Sequence, residues 1–397
     1  MVSILQITTS GFKKLWYLVF AAWCLVFVFG LSAYAMGRRP VYEPRYIRVE
    51  IIRNAASLDL TLRGSYQIKT LDTDESLIEG KNLKNVKVFP ASDGIAFEAL
   101  PVRVYGVRIE TRKQGAIYLN NRRFRGNIAL IKNSDQTLLV VNEIDVEDYL
   151  YGVLRGEVPY RWPLEVLKAQ AVCARTFALY QDSINADKDY SLTSDVYSQV
   201  YGGKSIERFW TNRAVNKTLG EVLTYQGRIF PAYYHSTCGG HTENSAFVWN
   251  IDLPPLKGVK DPFCKHSPHF HWKRTIGLNE IRGKLSKAKY EVGRIKNLIV
   301  DERNLSGRIR NIEVIGAKAS VSIPANKFRH LIGINLIKST NFSIKIAGKK
   351  AVFSGTGWGH GIGLCQWGAY FMARKGYDYK EILSHYYPGA EIKNIYH

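Results

Sequence analysis

Between Tyr46 and Val140 apolar and polar residues alternate in short runs: Ile47-Arg48-Val49-Glu50-Ile51, Leu58-Asp59-Leu60-Thr61-Leu62, Val102-Arg103-Val104-Tyr105 and Ile117-Tyr118-Leu119. Polar turns such as Asn120-Asn121 and Asn133-Ser134 separate them. A period of two over runs this short predicts half-buried antiparallel strands. No helical spacing interrupts them, so residues 45–140 read as a small β domain. Leu138 to Val141 is a continuous apolar strand, and the acidic stretch from Asn142 to Leu150 follows. Asp145 and Glu147 are expected to open a short helix there, because carboxylates favour a helix N-terminus. That helix delivers the chain to Gly156-Glu157-Val158-Pro159. From Trp162-Pro163 onward, Leu164, Leu167, Ala171, Ala174 and Ala178 recur at steps of three and four. This predicts a helix with one narrow apolar face of small residues, opened by a proline at its first position. Glu157 falls outside both patterns, in the loop between them, where a solvated surface charge is the ordinary reading.

Further on, Arg208 to Leu219 suits a helix closed by Gly220, and Val222 to Tyr225 with Phe230 to Tyr234 reads as a hairpin around Gln226-Gly227. Leu278 to Leu285 is weakly helical. Ile295 to Asp301, Ile309 to Ile315, Ala319 to Ile323 and Phe342 to Ile346 return to the strand pattern, which makes 277–350 an inserted β subdomain. Leu364 to Arg374 and Tyr379 to Tyr386 close the chain as helices. The fold class is therefore α+β. A small antiparallel β domain leads into a mixed helical core over 141–276, which is interrupted by the subdomain and completed by 351–397.

Within that last segment, glycine occupies every second position from Gly355 to Gly363. Neither the dinucleotide fingerprint nor the P-loop has this spacing. Two readings stand: an extended stretch bare on one side, against which a flat ligand such as a sugar polymer lies, or a tightly packed turn.

Charge and the N-terminus narrow the partner. The 397 residues are 46% hydrophobic and 22% charged, ordinary for a globular protein, but the net charge is +21. That excess favours a polyanion: nucleic acid, anionic lipid headgroups or an acidic wall polymer. Lys13-Lys14 precede an apolar run from Leu15 to Met36 that is long enough to span a bilayer, and Ala33-Tyr34-Ala35 fits a signal-peptidase site. Residues 1–36 are thus a signal anchor or a cleaved signal peptide, and either directs the body to the cell envelope. Export makes nucleic acid the least fitting of the three polyanions. The cluster Arg122, Arg123 and Arg125 around Phe124 reads as a solvated turn.

The five cysteines are too few for a disulfide-built fold. Cys24 lies in the apolar run, and Cys173 reads as a buried thiol in the Ala-rich helix. Cys365, five residues from His360 on a glycine-rich turn, reads as incidental rather than as a nucleophile. Cys238 and Cys264 lie among His235, His241, His266, His269 and His271. A zinc ion, a Cys238–Cys264 disulfide and free thiols are the three readings. For zinc, the expected ligands are His235, Cys238, Cys264 and His266, in a spacing that matches no standard finger.

Several motifs in order then carry a resemblance: Asn142 to Tyr149, Gly156-Glu157-Val158-Pro159, Trp162-Pro163, Leu167 to Thr176, Gln199-Val200-Tyr201-Gly202-Gly203 and Gly357 to Ala369. Together they resemble the stage II sporulation protein D family, which includes proteins described as amidase enhancers. The resemblance implies a peptidoglycan lytic transglycosylase, which cleaves between N-acetylmuramic acid and N-acetylglucosamine and leaves a 1,6-anhydro end. It also implies that Glu157 is the catalytic acid, and that zinc lies near the active site in some members. His360, Gly357, Gly359, Gly361, Gln366, Arg175, Gln199 and Tyr201 are the substrate-binding positions expected around Glu157. The expected partners are glycan strands, the membrane through the N-terminal segment, and a cell-wall amidase; no organic cofactor is expected. The alternative is a non-catalytic wall-binding enhancer of an amidase. A lipid-surface protein would leave Glu157 and the glycines unexplained. Cys365 replaces a small polar residue common in relatives, and the stretch from Gly277 to Asn341 is long and basic; both departures bear on substrate access.

Overall fold

The alternating first third of the body builds one large sheet. The computed structural model describes residues 42–98, 100–112, 114–196 and 198–396, so the apolar run Leu15 to Met36 lies outside the described residues. Among the described residues no helix is long and apolar enough to cross a membrane. Ten strands follow one another: Tyr46–Ala55 (β1), Leu58–Thr70 (β2), Ser76–Ala91 (β3), Gly94–Phe97 (β4), Leu100–Val104 (β5), Gly106–Thr111 (β6), Ala116–Leu119 (β7), Arg122–Phe124 (β8), Asn127–Lys132 (β9) and Leu138–Asp145 (β10). They pair antiparallel in the order β1-β10-β9-β6-β2-β3-β4-β5, with β7 on β2 and β8 on β7. The short strand Leu192–Thr193 (β11) adds to β1 in parallel.

Helix Val146–Glu157 (α1) grows directly out of β10. Asp145 caps it, its side chain accepting the Glu147 N–H at 3.0 Å, and so takes the capping role expected of it. The helix runs through Glu157, so that residue is the last helical position and not part of a loop. It stops at Val158 because the residue before a proline is driven to extended backbone, and Val158 sits at φ −137°, ψ 150°. Helix Leu164–Ile184 (α2) follows, with Pro163 as its N-cap rather than its first turn.

Val146, Tyr149, Leu150, Val153 and Leu154 of α1 and Leu167, Ala171, Ala174 and Ala178 of α2 share one hydrophobic cluster with Ile47, Leu60, Ile109 and Ile144 of the sheet. Residues 45–140 are therefore not a separate β domain: the sheet's apolar face is covered by the helices that follow it. Nor does α2 have a single apolar face. Val166, Ala169, Val172 and Cys173 enter a second cluster with Ile362, Leu364, Met372 and Leu383, so the helix is buried on both sides. Its alanines let both layers come close.

The remaining elements are helix Phe209–Lys217 (α3), strands Glu221–Tyr225 (β12), Arg228–Ile229 (β13) and Tyr234–His235 (β14), helix Ala246–Trp249 (α4), strand His271–Gly277 (β15), helix Leu278–Lys287 (α5), strands Ile295–Val300 (β16), Asn311–Gly316 (β17) and Ser320–Pro324 (β18), helix Ala325–Ile332 (α6), strands Phe342–Ala347 (β19), Lys350–Thr356 (β20) and Leu364–Cys365 (β21), helices Gln366–Arg374 (α7) and Tyr379–Tyr386 (α8), and strand Glu391–Asn394 (β22). The β12–β13 hairpin turns at Gln226-Gly227, both at positive φ, as a two-residue hairpin turn demands. It is shorter than its apolar pattern because Pro231 has no N–H to give a ladder. The chain instead leaves the hairpin, and β14 pairs in parallel with β21. The inserted β subdomain holds sheets β15-β20-β19 and β16-β17-β18 with α5 and α6 over a third cluster that runs from Trp272 to Phe353. Its outer strands β15 and β20 pair from His271↔Thr356 to Gly277↔Lys350, so it is wider than 277–350 on both sides.

Candidate functional site

Where α1 ends, a cleft of about 620 Å³ opens, walled by the end of α1, Phe177 of α2, Val196, Ser198 and Val200, β14, α4, α6 and the turn at Trp358 to His360. Glu157 is the only carboxylate among the described residues that line it. Its Oε1 accepts the Val200 N–H at 2.7 Å. That approach needs Gly156: a Cβ there would lie 2.5 Å from the Val200 carbonyl oxygen. Burial pushes the Glu157 carboxyl up to about 7, with the Val200 N–H and the Tyr234 hydroxyl acting against the rise. Desolvation dominates because a charge moved from water into a low-dielectric wall loses more than two hydrogen bonds return.

Behind Glu157 stands a buried polar relay. The Tyr149 hydroxyl donates to Gln199 Oε1 at 3.0 Å, and Gln199 Nε2 donates to the Tyr234 hydroxyl at 3.0 Å and to the Ala174 carbonyl at 3.2 Å. Because the Tyr234 oxygen accepts from Gln199, its own proton is left for the Glu157 carboxylate. Gln199, expected to bind substrate, is fully buried and positions Tyr234 instead. Gln366 lines the cleft and donates to the Glu157 backbone carbonyl at 3.3 Å.

His360 lines the same cleft as Glu157, so these two residues, distant in sequence, are brought together. Its ring nitrogens are both engaged: Nε2 donates to the Tyr234 carbonyl at 2.9 Å, and Nδ1 accepts the Ile362 N–H at 3.0 Å. Burial holds it neutral, at about 3. It therefore presents a ring face, against Trp249 at 4.9 Å and His235 at 5.4 Å between centroids, and no free proton donor.

Four further expectations are corrected. Arg175 does not reach the cleft: its side chain is 0% exposed and paired with Glu147 at 2.6 Å, with Nη1 donating to the Glu221 carbonyl at 2.9 Å. A guanidinium on a doubly covered helix must find its charge partner inside. Tyr201 is likewise buried, its hydroxyl donating to Asn142 Oδ1 at 2.7 Å. The alternating glycines form a packed turn rather than a bare extended face. Gly357, Gly359, Gly361 and Gly363 all have positive φ, and a Cβ would meet the Thr237 carbonyl at 2.7 Å from Gly357 and the Arg308 guanidinium at 2.4 Å from Gly361. Of the glycines expected to bind substrate, only Gly359 lines the cleft.

The fourth correction concerns the metal ligands. His235 is a cleft residue: its Nδ1 pairs with the Ile362 carbonyl at 3.0 Å, and its buried Nε2 has no hydrogen-bond partner among the described residues. His266 packs its ring on Phe371. Cys238 and Cys264 do come together, but with Asp261 and Cys365.

Sequence reasoning missed Tyr233, Tyr234, Trp249, Arg329 and His330 in the cleft wall. The two tyrosines abut the His235 motif and were legible there. Arg329 and His330 come from α6 of the inserted subdomain and carry no local signal.

Comparison with known proteins then relates the chain to a family. Residues 134–225 match the stage II sporulation protein family model, and residues 256–363 match a domain of unknown function. An uncharacterized protein of Brachyspira hyodysenteriae is 33% identical over 347 residues, covering 87% of this chain and 92% of the relative. Stage II sporulation protein D of Bacillus amyloliquefaciens is 32% identical over 270 residues, or 64% of this chain and 75% of the relative. The amidase enhancer of Bacillus subtilis is 30% identical over 294 residues, or 61% of this chain and 40% of that longer protein. With three quarters of that stage II sporulation protein D matched at 32% identity, and Gly156-Glu157 inside the segment that the family model covers, the chain belongs to the stage II sporulation protein D family.

Proposed function

We propose that this protein acts in the cell envelope as a lytic transglycosylase on the glycan strands of peptidoglycan, with Glu157 as general acid and then general base. The observation that carries this reading is a single carboxylate in the cleft, raised to about 7. A group with that affinity is substantially protonated at neutral pH and is poised for proton transfer in both directions. A glycoside hydrolase ordinarily needs two carboxylates, one to protonate the leaving oxygen and one to attack or to activate water. A lytic transglycosylase needs one. Glu157 donates its proton to the glycosidic oxygen as the C1–O bond breaks. The resulting carboxylate then takes the proton of the muramic acid C6 hydroxyl as that oxygen bonds to C1, and no water is consumed.

The cleft walls suit a sugar polymer. The Tyr233 and Trp249 rings lie 4.3 Å apart between centroids, tilted by 37°, and Trp358 lies under the Lys338 ammonium at 4.4 Å. Such faces pack against the apolar faces of pyranose rings. The unpartnered His235 Nε2 is an acceptor for a sugar hydroxyl or acetamido N–H, since a buried polar atom left without a partner is costly.

The test is digestion of purified glycan strands, with and without stem peptides. Wild type yields 1,6-anhydro ends, and Glu157→Gln loses at least about 100-fold in rate while still sedimenting with the strands. Undiminished cleavage by Glu157→Gln contradicts the assignment. The similarity to the amidase enhancer supports one second reading, a wall-binding module that stimulates a cell-wall amidase. Binding without products, together with amidase stimulation that survives Glu157→Gln, would favour it.

A further inference from the structure

Outside the cleft, the most concentrated set of metal-ligating side chains is Cys238, Asp261, Cys264 and Cys365, all buried, with one ligand atom from each lying within 4.8 Å of the others. We propose that these four residues bind one soft divalent transition-metal ion, zinc by ligand chemistry, as a closed structural site that locks β14 to β21 behind the cleft. The proposal stands independently of the glycan chemistry.

Geometry supports it first. Cys238 Sγ lies 3.3 Å from Cys264 Sγ and 3.1 Å from Asp261 Oδ2. A tetrahedral zinc with sulfur at ~2.3 Å sets its sulfur ligands about 3.8 Å apart, so half an ångström of outward relaxation seats the ion. The orienting contacts are the second support. Asp261 Oδ1 accepts the Phe263 and Cys264 N–H groups at 2.9 and 3.2 Å, which leaves Oδ2 turned toward the sulfurs. The Cys238 N–H and the Gly368 N–H point at Cys365 Sγ at 3.2 and 3.4 Å, and the Gly240 N–H at Cys238 Sγ at 3.4 Å. Backbone N–H groups aimed at sulfur stabilise thiolates and fix their orientation, as partners around a metal site do. Cys365 is also the N-cap of α7, where the helix dipole favours an anion.

Charge is the third support. Three thiolates and a carboxylate around a divalent ion leave excess negative charge in the interior. Arg308 is buried against the same loop, its Nη2 donating to the Cys238 carbonyl at 2.8 Å and its Nη1 to the His241 carbonyl at 3.1 Å. A buried guanidinium there offsets that excess.

The four ligands arrive from three separate segments, and four protein ligands leave no open position for a substrate, which marks a structural rather than a catalytic zinc. What the site holds is plain from its neighbours. His235 and Cys365 are paired across the β14–β21 ladder, and Ser236 and Gln366, each next in sequence to one of them, line the Glu157 cleft. The cysteine at position 365 thus has a role that its sequence setting alone did not give it.

The experiment is metal analysis and cobalt exchange on the full-length protein purified in reductant. About one zinc per chain is expected, and cobalt exchange of the wild type should give the intense visible bands of tetrahedral thiolate coordination. Cys365→Ser should lower the metal content and alter those bands, and chelation should lower the midpoint of thermal unfolding by several degrees. A metal-free wild type that takes up no cobalt overturns the proposal, as does a chain mass two hydrogens light with Cys238 bonded to Cys264. Because both decisive readings use wild type, a variant that fails to fold leaves the test intact.

Discussion

At Glu157 the protein holds a carboxyl between two opposing demands: burial against the cleft wall raises its proton affinity, and the Val200 N–H and Tyr234 hydroxyl lower it. The folded value, about 7, lies above the ordinary 4.5, so the folded state binds the proton more tightly than the unfolded chain does. The resulting stability is complete below about pH 4.5 and is lost as pH rises through 7. At about 1.4 kcal/mol per unit, the loss is about 3 kcal/mol. Glu157→Gln, which buries no charge, should match wild type near pH 4 and exceed it by up to about 3 kcal/mol near pH 8 in chemical denaturation. A difference that does not change with pH would remove the desolvated carboxyl from the account. Glu147 and Arg175 are the opposite case, a buried pair whose two charges satisfy each other at 2.6 Å. Arg175→Met should cost about 3–5 kcal/mol in equilibrium unfolding by stranding Glu147. An effect on glycan binding without an effect on stability would return Arg175 to the substrate site.

Elements that rest on local patterning were legible in the sequence. The period-two runs gave strands β1, β2 and β7, and α8 spans Tyr379–Tyr386, as its spacing predicted. Features set by tertiary approach were not. The end of α1 was hidden because acidic residues signal where a helix starts, whereas its reach to Glu157 depends on Pro159 and on the sheet beneath it. The glycine-rich turn illustrates the same limit. Alternation of glycine with larger residues fits both an extended strand and a packed turn, and only the arrival of Tyr233 and Arg308 decides between them. Gly363, with φ 68° and a Cβ position 2.0 Å from the Tyr233 carbonyl oxygen, tolerates no side chain. Gly363→Ala should lower stability by more than about 2 kcal/mol through positive-φ strain and displacement of β14, measured as a shift in denaturation midpoint. Of the residues lining the cleft, Glu157, His360, Gly359 and Gln366 were singled out in the sequence, and His235 was singled out as a metal ligand. That Asp261 and Cys365 lie beside Cys238 and Cys264 escaped notice because nothing local marks residues that meet only after three segments fold together.

Across the whole molecule, the three largest hydrophobic clusters among the described residues divide the labour. The sheet with α1 carries Glu157, the cluster behind α2 carries the His360 turn, and the inserted subdomain sends Asn326, Arg329 and His330 of α6 into the cleft wall. The last contribution gives the long stretch after Gly277 a physical place in the cleft wall. The net charge of +21 adds a long-range pull toward an anionic wall, and salt screens such a pull over about 10 Å at 0.1 M. The chemistry proposed at Glu157, however, is local: one carboxyl would suffice because the sugar would supply its own nucleophile. Its most direct test is to run the glycan digestion in ¹⁸O-labelled water and weigh the new ends by mass spectrometry. The account predicts anhydromuramic ends free of label; reducing ends carrying ¹⁸O at C1 would mean that water attacked, and would contradict it.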